Sequence, residues 1–148
     1  MAVFSHPLEA QSSRDKSTLA DKGQVVMTQS FATHTVNAGT AVSKTIYLPK
    51  NSKILGFVVA NDVVWNAGTS ATLTIGTAAA GVQYLTAVDT KTAAGLIPLT
   101  ATHVTGTQSA NWKSIGNNTT MVATITPAGT NPSTGTTNVT VLYSVASA

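Results

Sequence analysis

Cysteine is absent from this chain of 148 residues. Disulfides, thiolate metal ligands and cysteine nucleophiles are therefore excluded, and stability has to come from packing and association. Charge is nearly as scarce: Asp, Glu, Lys and Arg make up 9% of the residues, and they are unevenly placed. Glu9, Arg14, Asp15, Lys16, Asp21 and Lys22 crowd into the first 22 positions, which leaves Lys44, Lys50, Lys53, Asp62, Asp89, Lys91 and Lys113 to serve everything that follows. A long body written in Thr, Ser, Ala, Val, Gly and Asn is poor in the charged surface that keeps a free monomer soluble. Such a body is expected to sit against other copies of itself or against another protein.

Long apolar runs are missing too. No stretch approaches the roughly 18 uninterrupted apolar residues of a membrane helix. The start, Met1-Ala2-Val3-Phe4-Ser5-His6-Pro7-Leu8-Glu9, has no cationic region leading into an apolar run, so no secretory signal is expected. These features give the expectation of a soluble protein made in a cytoplasm, with no membrane partner. The net charge of +3 resides in the body, since the three acids and three bases of the first 22 positions cancel. Lys44, Lys50 and Lys53 form its one local basic group, too sparse for a nucleic-acid footprint of clustered Lys and Arg. Aromatics are only 5% of the chain and do not interleave with bases, which argues against single-strand binding.

What is present is a recurring two-residue alternation broken by Gly, Asn, Pro and Thr/Ser punctuation, the pattern of an all-β sandwich or barrel. Gln24 to Val36 opens the series, and Ala41 to Leu48 follows Asn37-Ala38-Gly39-Thr40. Pro49-Lys50-Asn51-Ser52 then turns into Lys53 to Trp65. Ala71 to Thr77, Thr119 to Thr126 and Thr137 to Val145 alternate cleanly, while Val82 to Val88, Leu96 to Thr102 and Gly106 to Lys113 are weaker strand candidates. The Asn-x-Gly pieces at Asn37 and Asn66 suit residues that take positive φ. Two helical turns over Ser12 to Ala20, capped by Ser12 or Ser13, are the only helix in view. The expected fold is thus all-β: a jelly-roll-like antiparallel β-sandwich of about eight strands over residues 24–148, preceded by an extended N-terminal arm over residues 1–23.

Chemical constellations are thin. His6, His34 and His103 are far apart and carry no carboxylates at metal-ligand spacing, so no metal is assigned. Asp62 and Asp89 are the body's two carboxylates and would have to be any acid and base pair, yet both sit where turn-forming acids commonly do. Gly76-Thr77-Ala78-Ala79-Ala80-Gly81 has the spacing of a phosphate loop but continues with Val82 where the lysine must stand, and reads as a tight bend between strands. No catalytic residue and no cofactor follow. Tyr47 and Tyr143 alternate with strand apolars and read as core. Trp65 and Trp112 fall at strand ends, where core and interface are both open readings, and with Tyr84 they are the residues a sugar platform would use.

The run Ile46-Tyr47-Leu48-Pro49-Lys50-Asn51-Ser52-Lys53-Ile54-Leu55-Gly56-Phe57-Val58-Val59 is followed by Trp65-Asn66-Ala67-Gly68-Thr69-Ser70-Ala71-Thr72-Leu73-Thr74-Ile75-Gly76-Thr77 and then Tyr84-Leu85-Thr86-Ala87-Val88-Asp89. From Thr45 to Gly95 this resembles small head decoration, or cement, proteins of tailed bacteriophages. The resemblance implies a structural virion protein on the outer surface of the capsid, not an enzyme. Its partners would be the major capsid protein and copies of itself, a trimer being expected from the symmetry points of icosahedral shells. The alternatives are a head fibre or tail attachment protein, or a carbohydrate-binding β-sandwich module. Candidate assembly contacts are Val3, Phe4, Leu8, Arg14 and Lys16 in the arm and Trp65 and Trp112 in the body.

Overall fold

Alternating burial builds the core. In the strand Thr120–Ala128, Met121, Ala123 and Ile125 are fully buried on one face, and in Thr136–Val145 the buried set is Thr137, Val139, Val141 and Tyr143. The computed structural model describes residues 24–32, 40–112 and 120–145. The 1–23 arm, the possible helix at Ser12–Ala20, His6, His34 and Asn37 lie outside the described residues, as do the arm contacts Val3, Phe4, Leu8, Arg14 and Lys16.

The elements in chain order are β1 (Gln24–Ala32), β2 (Val42–Tyr47), β3 (Ser52–Val63), β4 (Ser70–Gly76), β5 (Leu85–Asp89), β6 (Gly95–Ile97), α1 (Gly106–Asn111), β7 (Thr120–Ala128) and β8 (Thr136–Val145). Among the described residues these strands form two four-stranded sheets, one in the order β1-β8-β3-β6 and the other β2-β7-β4-β5. Every pairing is antiparallel. One hydrophobic cluster draws on both sheets, with Ile54, Phe57, Val59, Val139 and Val141 from the first and Ile46, Leu73, Ile75, Val88 and Ile125 from the second. The protein is therefore all-β, with the core between two antiparallel layers. Pro127 falls past the end of β2's ladder, whose last pair is Val42↔Ile125, so β7 tolerates its missing N–H there.

Three expectations need correction. Gly106 to Lys113 is not a strand, because Gly106–Asn111 is helical. The side chain of Gln108, three residues after the N-cap Thr105, reaches back to accept the Thr105 N–H at 3.1 Å, half of a capping box that starts a helix without any apolar period. Leu96 to Thr102 pairs only as far as Ile97, since Pro98 follows and the chain then turns, with the His103 N–H donating to Thr100 O at 3.0 Å. Asn66 does not hold positive φ; among the described non-glycine residues Asn51 and Ala80 do. Asn66 instead staples two loops, its Oδ1 accepting the N–H groups of Ser133 at 2.8 Å and Thr134 at 3.0 Å.

β3 carries two irregularities, at Ile54/Gly56 and at Asn61/Val63. The first inserts an extra residue and changes the strand's phase, so that Ile54 and then Phe57, Val59 and Asn61 face inward while Lys53, Leu55, Val58 and Asp62 are exposed.

Candidate functional site

Three places in the body gather side chains with something to do. The first is a buried polar chain. The Trp65 Nε1–H donates to Thr137 Oγ1 at 2.8 Å, and the Thr137 hydroxyl donates to Asn61 Oδ1 at 2.7 Å. Asn61 Nδ2 in turn donates to Thr90 O and Ala93 O, both at 2.9 Å. Trp65, Asn61, Thr90 and Thr137 are almost wholly buried, so each donor and acceptor has to find its partner inside the protein. The chain of bonds joins β3 to β8 and to the β5–β6 connection. Thr90 extends it to β4, donating from Oγ1 to Ala71 O at 2.9 Å. Gly135 completes the setting: its φ of +150° and the place its Cβ would take, 2.5 Å from the Trp65 ring, leave room only for hydrogen. Trp65 thus takes the core alternative of its two readings. With no exposed surface it cannot be a direct assembly contact.

The second is a clasp at α1. Gln108 Nε2, Asn111 Nδ2 and Trp112 Nε1 donate to the carbonyls of Val82, Gln83 and Tyr84 in succession, at 2.9, 2.8 and 2.8 Å. The Trp112 ring stands edge-on to Phe57, centroids 5.2 Å apart, and its carbonyl accepts from the Ile54 N–H at 2.9 Å. Trp112 is half-buried and Tyr84 is 4% exposed. Neither Trp65 nor Tyr84 therefore offers an open aromatic face for stacking a sugar.

The third is the outer surface of the two sheets. On the β2-β7-β4-β5 sheet the outward side is rich in hydroxyls, with Ser43, Thr45, Thr72, Thr74 and Thr126 alternating against the buried residues. The Gly76–Gly81 bend folds over part of it, since the Ala80 N–H donates to Thr124 Oγ1 at 3.0 Å and that hydroxyl lies 2.9 Å from Ser43 Oγ. A Cβ on Gly76 would lie 2.5 Å from Gly81 Cα, so this bend is a tight reversal. Among the described side chains of the β1-β8-β3-β6 sheet, the outward side exposes the apolar residues Leu55 at 44%, Val58 at 37% and Leu96 at 69%, with Lys53 and Asp62 exposed toward the ends of β3. These three residues, and Tyr47 at 66%, were not singled out from the sequence as surface. Tyr47 corrects the core expectation. It stands between Ile46 and Leu48, both buried, so alternation turns it outward, and that signal was present in the sequence.

The titratable groups are dispersed. Asp62 Oδ2 accepts from Asn138 Nδ2 at 2.7 Å, while Asp89 Oδ1 accepts the Lys91 N–H at 2.7 Å in a turn. Lys91 Nζ donates to Gly68 O at 3.1 Å. His103 Nδ1 accepts the Thr100 N–H at 3.0 Å. No three His, Asp or Glu side chains gather at metal-binding separation among the described residues. Burial pushes the Tyr143 phenol above its ordinary value of 10.0.

No protein-family model matches the chain, and no curated protein matches it.

Proposed function

We propose that this protein is a structural virion component, a capsid decoration protein that binds the outside of a bacteriophage head and clamps neighbouring shell subunits. The observation that carries the reading is the charge-poor exterior of both sheets. Threonines and serines cover one, while on the other Leu55, Val58 and Leu96 stand beside the hydroxyls of β8, with Lys53 and Asp62 toward the ends of β3, so each face can dock with few charges to desolvate. The partners are the major capsid protein and further copies of the chain, the site of action is the outer capsid surface, and the role is mechanical rather than catalytic.

The finer fold reading belongs with this proposal. A jelly roll is supported by the strand orders 1-8-3-6 and 2-7-4-5, the arrangement two interlocked Greek keys produce, and jelly rolls recur in capsid proteins. The resemblance of the Thr45 to Gly95 region to phage head decoration proteins points the same way. In this reading residues 1–23 form an arm that reaches the shell or a neighbour, a second attachment that raises occupancy through effective concentration. Cryo-electron microscopy of the particles carrying the protein tests it. The expected result is density for this sandwich over the whole shell lattice. Copies confined to one vertex would move the role to a fibre or tail adaptor, and absence from particles would overturn it.

A further inference from the structure

We propose that the outer face of the β1-β8-β3-β6 sheet is a two-fold self-association surface, on which β3 of one copy lies antiparallel across β3 of a second. The outward positions of β3 run Lys53, Leu55, Val58, Ala60 and Asp62: a cation at one end, an anion at the other, and aliphatic side chains between. Leu96 of β6 stands beside Ala60 in register and is the most exposed large apolar residue described.

The order of these residues selects the partner. A two-fold axis lying between two such faces and crossing β3 at Val58 reverses the strand, so Lys53 meets Asp62 of the second copy, Leu55 meets Ala60 and Val58 meets itself. Opposite charges pair twice, and each leucine faces a side chain small enough to receive it. The other in-plane axis, parallel to the strand, sets Lys53 against Lys53 and Asp62 against Asp62, and like-charge opposition disfavours it. A self-complementary patch of this kind is what an isologous contact requires. Such a contact closes at two copies, in place of the three expected from shell symmetry points.

Size sets the strength. Strands about 4.8 Å apart and residues about 3.3 Å apart along them make this face roughly 20 by 30 Å, somewhat under the ~800 Å² per partner of a standard stable interface. The dimer is therefore concentration-dependent. It refines the self-association part of the proposed function without depending on the shell, so it is tested on the purified full chain alone and a failure leaves the capsid reading standing.

Sedimentation across a concentration series is the first measurement. Lys53→Glu and Asp62→Lys are each expected to weaken the dimer about tenfold, since each turns both opposed pairs into like-charge pairs, and the double reversal is expected to restore it. Because the chain has no cysteine, Val58→Cys places one thiol at the axis. Facing sheets about 10 Å apart exceed the Cα separation of a disulfide, below about 7 Å, so a short bismaleimide is the probe. Cross-linked dimer is expected from Val58→Cys and not from Tyr47→Cys on the other sheet. A chain that stays monomeric at every concentration, single reversals without effect, a double reversal no tighter than the singles, or equal cross-linking from both cysteines would overturn the proposal.

Discussion

Thr137 shows how a single side chain can hold a sandwich in register. Its hydroxyl is at once acceptor for the Trp65 indole and donor to Asn61, so removing it strands two buried polar groups. Each stranded group costs about 1–3 kcal/mol, which gives an expected loss of about 3 kcal/mol for Thr137→Val despite the near-identical shape. Thr137→Ser keeps the hydroxyl and loses one methyl, so about 1 kcal/mol is expected. Urea unfolding at neutral pH measures both, and equal midpoints for the two variants would sink the relay. Tyr143 supplies a pH dependence. Its proton is held more tightly folded than unfolded, so its contribution is fully present below pH 10.0 and is lost as pH rises from there through the raised folded value. Tyr143→Phe should flatten that alkaline limb of the stability curve, read as thermal midpoint against pH between the neutral range and the strongly alkaline one.

At the scale of elements, α1 is held by side chains rather than by an apolar stripe. Gln108 both accepts from the Thr105 N–H and donates to Val82 O, and it is the helix's only buried residue. Gln108→Ala should therefore cost about 2 kcal/mol, from one lost cap and one part-buried carbonyl left without this donor. Hydrogen exchange should localise the change to residues 82–86 and 105–112 while β7 and β8 keep their protection; uniform acceleration across both sheets would contradict a local clasp. The same element shows why part of the fold was hidden in the sequence. β7 and β8 were legible because one face is buried along their length; alternation runs through β8 to Tyr143 and is interrupted in β7 only at Thr124, which the Gly76–Gly81 bend covers. In Gly106-Thr107-Gln108-Ser109-Ala110-Asn111 no apolar residue recurs at helical spacing, and a polar residue carries the packing, so hydrophobic periodicity has nothing to report. β3 was seen as a strand, but its facing was not. The extra residue at Leu55-Gly56 puts Leu55 and Val58 on one side, which no two-residue rule anticipates. The surface followed the same logic: Tyr47 was readable from its buried neighbours, whereas the depth of Trp65 depends on Gly135, seventy residues away.

For the whole molecule, the proposed division between a 1–23 arm and the body has consequences that can be separated. Among the described residues the buried hydrophobic core runs from Ile46 to Tyr143, and in the proposed reading residues 1–23 lie outside it. Removing residues 1–23 should therefore leave the urea midpoint of the body within about 0.5 kcal/mol of the full chain, the range of changes remote from the core. On shells the outcome should differ. If the arm supplies a second attachment, it acts at an effective concentration in the millimolar range, and losing it should lower apparent affinity about a hundredfold or more. Salt separates the two attachments. The outer faces of the sheets carry few charges, so the truncated body's remaining affinity should change little between low and high ionic strength. Whatever charge-assisted share Arg14 and Lys16 contribute should appear only in the full chain and weaken as the Debye length shrinks from about 10 Å to about 3 Å between 0.1 and 1 M salt. Occupancy on purified shells, titrated with both forms at two salt concentrations, measures all three quantities. Equal occupancy of the two forms would remove the arm from the mechanism and leave the sheet faces to carry the clamp alone.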